Sequence, residues 1–198
     1  MRFTGSMIKE TIKNLVAGIS RGQIEIYNEF SLQHEIGILL RSAFPDDKVL
    51  FERNVYDIFQ RDNLIKREID ITVFSRDNTI RRCAIELKFP RNGQHPEQMF
   101  SFCRDVRFAE QLKKAGFAEA FVVIFADDHL FHSGQGDGIY GYFRQNKMLC
   151  GSIRKPTGKK DETIKLLGSY DVQWSSISGH PKLKYTVIKA NNGQQGNI

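Results

Sequence analysis

A nearly unbroken apolar run near the middle of the chain constrains the fold more than any other segment. It spans Ala118 to Ala126 and contains one charged residue, Glu119. Such a run is typical of a strand covered on both faces, whereas a strand with one face in water alternates apolar and polar residues. The chain has 198 residues, of which 40% are hydrophobic, so it can bury a sizeable core within one domain. We expect a single α/β domain over residues 1–190.

Helical periodicity is found on the N-terminal side of that run. Apolar residues recur at helical spacing within residues 1–22, and again after Ser31, which is a suitable N-cap, as far as Pro45. A longer helical pattern covers residues 96–115 and stops at Gly116. The sequence therefore predicts three helices before the apolar strand.

Strand patterns occupy the space between the second and third helices. Three runs have strand character, at residues 49–55, 67–74 and 81–89. Asp77 and Asn78 favour a turn between the last two, which indicates a hairpin. The predicted order is thus helix, three strands, helix and strand, over a core of about residues 30–126.

The C-terminal part, about residues 138–190, has a different texture. A glycine-rich loop at residues 134–138 comes before a series of short strand candidates. We expect these strands to be antiparallel, and either to continue the same sheet or to form a small second sheet. Residues 191–198 are polar and glycine-rich, which predicts a flexible tail. The strand candidates are residues 139–143, 148–153, 163–167, 170–174 and 183–188.

Three charged residues lie inside the two hairpin strands. Asp70 is flanked by isoleucines, and Glu86 and Lys88 are two residues apart, so their side chains point to the same face. Ile85 and Leu87 point the other way, into apolar surroundings. A hairpin can bring Asp70 opposite or diagonal to the other two, so that two carboxylates and one ammonium share one patch.

This combination suits phosphodiester chemistry. Mg²⁺, which Mn²⁺ can replace, takes carboxylate oxygens together with water and phosphate oxygens, polarises the phosphate and lowers the pKa of a bound water. A nearby lysine can position or deprotonate that water, or stabilise the developing charge. Glu35, at the edge of the apolar arc of the second helix, could hold a metal-bound water or a second ion.

Ordinary cross-strand ion pairs on a solvated face are the alternative explanation. The acid-x-Lys pattern is short, and Asp46 with Lys48 also satisfies it, although in a polar loop after a helix. The site at Asp70, Glu86 and Lys88 differs because its residues lie in strongly apolar strands, where an unpaired charge would be costly.

With these residues in this order, residues 30–126 resemble the PD-(D/E)xK nuclease superfamily, whose fold is restriction-endonuclease-like. The resemblance implies an αβββαβ core with a mixed central sheet, to which C-terminal antiparallel strands are added here. It implies Asp70 and Glu86 as metal ligands, Lys88 as the catalytic lysine and Glu35 as a further acidic ligand from the helix. The chain departs from the family pattern at Ile69, which stands where the family name has proline.

Other residues are weaker candidates. Glu52 could add a ligand, although pairing with a neighbouring cation is the simpler role. Asp105 and Gln111 fit helix-surface or capping roles. His129 and His132 could bind a metal only if a helix brought them together, and a loop is the simpler interpretation.

The composition permits a polyanion as partner without proving one, and solvated loops explain the basic clusters equally well. The net charge is +6, and basic residues cluster at 113–114, at 144–147 beside aromatic residues, and at 154–160. We expect a DNA-cleaving, Mg²⁺-dependent endonuclease, with a homodimer possible. A non-catalytic nucleic-acid-binding or interaction module on the same fold is the alternative. No apolar stretch reaches membrane-spanning length and three dispersed cysteines form no motif, so we expect a cytoplasmic protein without membrane contact.

Overall fold

The computed structural model of the protein describes residues 5–60, 63–91, 93–158 and 161–191. Most of the predicted tail, residues 192–198, lies outside these ranges, as do residues 159 and 160 of the third basic run. Within the described ranges, no helix is both long enough and apolar enough to cross a membrane.

The described chain forms a mixed α/β structure. A short 3₁₀ helix, His129–Phe131, follows the fourth strand. In chain order the other elements are α1 (Gly5–Ser20), α2 (Glu29–Ala43), β1 (Asp47–Asn54), α3 (Val55–Phe59), β2 (Glu68–Ser75), β3 (Arg81–Lys88), α4 (His95–Lys114), β4 (Glu119–Ala126), α5 (Ile139–Arg144), β5 (Leu149–Arg154), β6 (Thr163–Tyr170), β7 (Ser175–Ile177) and β8 (His180–Lys189).

Six strands form one mixed sheet in the order β1-β2-β3-β4-β8-β7, and β5 pairs with β6 in a separate two-stranded sheet. β3 and β4 run parallel and α4 connects them, whereas the other paired strands named here run antiparallel. The sequence left open whether the C-terminal strands continue the main sheet or form a second one. Both occur, since β8 and β7 continue the main sheet and β5 and β6 form a second one.

Helices cover both faces of the main sheet. The apolar residues of α1 and α2 pack on one face, and α4, α5 and the β5–β6 hairpin pack on the other. All residues of β4 after Glu119 are buried, as the apolar run predicts. Ile85 and Leu87 are fully buried on the α1–α2 face, so Glu86 and Lys88, at alternate positions, face α4.

Two of the C-terminal strand predictions are wrong. Residues 139–143 form α5, because Ile139 and Phe143 are one helical turn apart and are both buried beside α4. This spacing of four residues fits one face of a helix as well as one face of a strand. Residues 171–174 are not in a strand; they connect β6 to β7, and Trp174 Nε1 donates to the carbonyl of Phe143 at 2.9 Å.

The second helix starts earlier than the sequence suggested. Asn28 is its N-cap, and Ser31 is the third residue of the helix. The Asn28 side chain accepts from the Ser31 N–H at 2.8 Å, and the Ser31 hydroxyl accepts from the Asn28 N–H at 3.1 Å. This reciprocal capping box adds the turn that contains Glu29 to the helix.

Candidate functional site

The β2–β3 ladder ends beside the two predicted carboxylates. Ile71 pairs with Ile85, and beyond that pair side chains take the place of the ladder bonds. The Leu87 N–H donates to Asp70 Oδ2 at 2.6 Å, and the Asp70 N–H donates to Glu86 Oε1 at 3.4 Å. Each carboxylate thus accepts an N–H from the backbone of the sheet, and the two side chains lie side by side, as the hairpin predicted.

Lys88 ends β3 and places its ammonium group in the same cluster. Its Nζ donates to the carbonyl of Leu87 at 2.7 Å and lies 3.5 Å from Glu29 Oε1 and 3.6 Å from Asp105 Oδ2. The structure therefore brings Asp70, Glu86 and Lys88 together, and adds two carboxylates from the helices on either side of the sheet.

The carboxylate contributed by α2 is Glu29 and not Glu35. Glu29 Oε2 also accepts the N–H of Phe89 at 3.3 Å, so this side chain is bound at the end of β3. Among the described residues, Glu35 has no hydrogen bond or ion pair, and it lies on a different side of the helix from Glu29. The role that the resemblance gave to Glu35 is open to Glu29, which the sequence missed because the helix was expected to begin after Ser31.

Lys66, in the segment before β2, is a site residue that the sequence did not indicate. Its ammonium group forms a short ion pair with Glu86 and another, at 2.9 Å, with Asp105 Oδ1. Gln111 Oε1 accepts the N–H of Ile65 at 2.9 Å and so fixes the segment that carries Lys66.

Asp105 corrects a second expectation. It is 1% exposed on the inner face of α4, so the predicted helix-surface or capping role is wrong. Its Oδ2 is buried and has no hydrogen-bond partner among the residues described, although Lys88 Nζ lies 3.6 Å away. A buried carboxylate oxygen without a hydrogen bond is able to accept one from a water molecule or to bind a cation.

Burial, together with repulsion between neighbouring carboxylates, raises the pKa values of two acids of the cluster, Asp70 and Glu86. Burial raises the pKa of Asp70 to about 6, against the opposing effect of Lys66 and Lys88. Burial also raises the pKa of Glu86 well above its usual range, and the neighbouring Asp70 carboxylate raises it further.

The pKa values of the two lysines are raised as well, but for a different reason. Burial alone would lower the pKa of each, but the surrounding carboxylates, Asp105 foremost, outweigh burial and raise the pKa of Lys66 and of Lys88. Both side chains therefore stay cationic at neutral pH.

The cluster has an excess of acid. Four carboxylates meet two ammonium groups, so full ionisation leaves two negative charges in a site that is largely buried. Carboxylate oxygens are the donors that Mg²⁺ prefers, and it commonly binds one or two of them together with water and phosphate oxygens. Asp70 and Glu86 fit this requirement in donor type. No group of three or more His, Cys, Asp or Glu side chains in the described ranges is arranged as a metal cage, and Lys66 holds Glu86.

Gln33 connects the cluster to β1. Its Nε2 donates to the carbonyl of Asp70 at 2.9 Å and to Glu52 Oε1 at 2.5 Å. Glu52 is exposed and has φ of 48°, in the left-handed region, between the register pairs Phe51–Ile71 and Arg53–Ile69. Left-handed backbone at a non-glycine residue is costly and is concentrated at functional sites. Glu52 thus contacts Gln33, and not Arg53 or the carboxylate cluster.

The remaining candidates have local roles. The His132 ring contacts Ser133 Oγ at 3.0 Å and the carbonyl of Lys182 at 3.3 Å, which fits the loop interpretation. In the basic run at 144–147, Arg144 Nε donates to the carbonyl of Leu130 at 2.8 Å, and its guanidinium lies 4.0 Å from the Tyr140 ring centre. This run is therefore partly engaged in intramolecular contacts.

Comparison with known proteins adds no neighbour to these observations. No protein-family model, no curated protein and no solved structure matches the chain.

Proposed function

We propose that the protein is a Mg²⁺-dependent nuclease that hydrolyses phosphodiester bonds in DNA. The observation that supports this function is the convergence of Asp70, Glu86 and Lys88 where the β2–β3 ladder ends. The order of α2, β1, β2, β3, α4 and β4 is the one expected of a restriction-endonuclease-like core, and membership in the PD-(D/E)xK superfamily is part of the proposal. A cytoplasmic location and a homodimer remain predictions.

In this proposal Asp70 and Glu86 hold the cation, with Mn²⁺ as a substitute. A cation held there would polarise the phosphate and make water a better nucleophile. Lys88 orients the attacking water by a hydrogen bond and stabilises the negative charge that develops on the phosphate oxygens. Glu29 and Asp105, on opposite sides of the Lys88 ammonium, keep it protonated and in place.

Lys66 has a place in the same scheme. Its ammonium group supplies the positive charge that Glu86 and Asp105 require when no divalent cation is bound. Mg²⁺ at Glu86 Oε2, the oxygen that Lys66 contacts, would displace this ammonium group, because two cations cannot share one carboxylate oxygen in a buried site.

A non-catalytic nucleic-acid-binding module is the second candidate, and the Lys66 contacts favour it. A lysine that pairs with both Glu86 and Asp105 gives a network that can exist without metal. Such a module binds polyanions without Mg²⁺, and its binding weakens as the salt concentration rises.

The deciding experiment is cleavage of supercoiled plasmid and of labelled single-stranded DNA and RNA, with Mg²⁺, with Mn²⁺ and with EDTA. Asp70→Ala, Glu86→Ala and Lys88→Ala should abolish metal-dependent cleavage while circular dichroism shows that folding persists. Glu35→Ala is the matched control and should cut like the wild type. Cleavage at the wild-type rate by Asp70→Ala or Glu86→Ala would refute the site, and binding without cleavage by the wild type would favour the module.

A further inference from the structure

A cavity of about 520 Å³ lies on the outer part of the main sheet, away from the carboxylate cluster. It is bounded by β1, by α3 and by the end of the β2–β3 hairpin. Its apolar floor includes Leu50 and Phe74, and the size is within the range of small-molecule and nucleotide sites.

The polar lining of this cavity is mainly cationic. Lys48, Arg53 and Arg81 contribute three positive charges, against the one carboxylate of Asp57. Arg81 is fixed in place, since its guanidinium donates to the carbonyl of Ile58 at 3.2 Å. An apolar floor with a cationic rim is complementary to a ligand that combines a flat apolar group with a phosphate.

Arg53 is the residue that distinguishes this cavity from an ordinary solvated surface. Its Nε is buried, and no hydrogen-bond partner for it is found in the described ranges. Buried guanidinium nitrogens normally have a hydrogen-bond acceptor, and the planar guanidinium group matches the geometry of a phosphate.

The cavity is connected to the candidate active site through β1. Arg53 pairs with Ile69, the residue before Asp70, and Lys48 pairs with Phe74 near the hairpin turn. Lys48 and Arg53 are five residue steps apart, which corresponds to roughly 16 Å of strand, or between four and five base steps of about 3.4 Å. Phe74 and Asp70 are four residues apart on β2, so both face the α4 side of the sheet.

We propose that this cavity binds the phosphate backbone of the nucleic-acid strand on one side of the scissile bond, with Arg53 and Lys48 as phosphate contacts. The proposal rests on the proposed nuclease function for its substrate. Its ligand chemistry, a phosphate beside a flat apolar group, belongs equally to a free nucleotide, and the experiment separates these two sources.

The test measures binding of a fluorescent 20-nucleotide DNA strand by anisotropy in EDTA, where no metal-dependent cleavage occurs. We compare Lys48→Gln, Arg53→Gln and the double variant with Arg21→Gln, which removes an exposed arginine at the end of α1, on the opposite face of the sheet. Removing one cation that binds a phosphate should lower the slope of log K against log salt by about 0.7. For the double variant this means a slope lower by about 1.4 and about 25-fold weaker binding at 0.1 M salt.

Arg21→Gln should bind within about twofold of the wild type. The exposed side chain of Lys48 makes Lys48→Gln a variant that keeps the fold, so the test does not depend on Arg53→Gln alone. Equal slopes for the double variant and Arg21→Gln would overturn the proposal. Saturable binding of a free deoxynucleoside monophosphate that the double variant loses, with strand binding unchanged, would also overturn the assignment to the strand.

Because binding is measured in EDTA, the outcome is independent of catalysis. A protein that binds the strand through Arg53 and Lys48 but never cleaves it would support the cavity assignment and refute the nuclease. A protein that cleaves DNA, but whose double variant keeps the wild-type slope of log K against log salt, would support the nuclease and refute the cavity assignment.

Discussion

Replacing Asp70 by asparagine should stabilise the protein at neutral pH when divalent cations are removed. Burial raises the pKa of this carboxyl from 3.8 to about 6 in the folded protein. Between these two values the unfolded chain has already released the proton while the folded protein still holds it. Stability therefore falls as the pH rises through this window, and above it the folded protein carries the full cost of a buried charge.

The size of the effect follows from the shift. A difference of about two pKa units corresponds to about 3 kcal/mol of unfolding free energy above pH 6, and to roughly 0.6 kcal/mol at pH 4. Asparagine has no charge to bury, and its Oδ1 can still accept the Leu87 N–H that Asp70 accepts at 2.6 Å. For a chain of this length, about 3 kcal/mol raises the midpoint of thermal unfolding by about 6–12 °C.

The assay is thermal unfolding in EDTA from pH 4 to pH 8, for the wild type, Asp70→Asn and Asp46→Asn. Asp46 is exposed in the loop before β1, so its variant controls for the loss of a carboxylate as such. The advantage of Asp70→Asn should be large at pH 7.5 and nearly absent at pH 4. A lower stability of Asp70→Asn than of the wild type at pH 7.5, or a gain in stability that did not depend on pH, would refute this reasoning. Either result would show that burying the Asp70 charge does not destabilise the folded protein.

Three further predictions concern the surroundings of the site. Lys66→Met removes the cation that pairs with Glu86 and one of the two that pair with Asp105, and it should cost about 3–5 kcal/mol in urea unfolding, with Mg²⁺ restoring more stability than it adds to the wild type. Glu29→Gln weakens a contact with Lys88, the proposed catalytic lysine, and should slow the proposed cleavage about 10- to 100-fold, whereas Glu35→Gln, on the same helix, should leave it unchanged. Gly37→Ala would place its Cβ 2.4 Å from Cζ of Phe51, and this overpacking should cost about 1–3 kcal/mol in urea unfolding; an unchanged urea midpoint would contradict it.

Periodicity in the sequence was sufficient for the elements that position the site. The apolar run of β4 and the alternation in β2 and β3 depend on which face of a strand is buried, and this is a local property of the sequence. The same alternation correctly placed Asp70 and Glu86 side by side. It failed for α5, because the spacing of Ile139 and Phe143 fits the period of a helix as well as that of a strand. Packing against α4 then determines that the segment is helical.

Of the three site residues that the sequence analysis missed, two could have been found from periodicity and one could not. Glu29 is in register with Gln33, Ile36 and Leu40 on one face of α2, so extending that helix by one turn would have found it. Asp105 lies in an apolar stripe of α4, a position that itself indicates a buried acid. Lys66 is in an irregular segment, and only the three-dimensional structure shows that its side chain reaches Glu86 and Asp105.

The balance of charge in the cluster is the strongest reason to expect chemistry there. A buried ion-pair network seldom stabilises a fold more than apolar residues of the same volume would, because desolvation costs about as much as the pairing returns. Here Lys66 and Lys88 neutralise only half of the four acids, and burial, with a smaller contribution from neighbouring carboxylates, raises the pKa values of Asp70 and Glu86. A network kept for stability alone would not retain that excess acid, whereas a site that binds a divalent cation requires it. Asp70→Asn removes one of the negative charges of the cluster and Lys66→Met removes one of its positive charges, so the two variants test the charge balance from opposite directions.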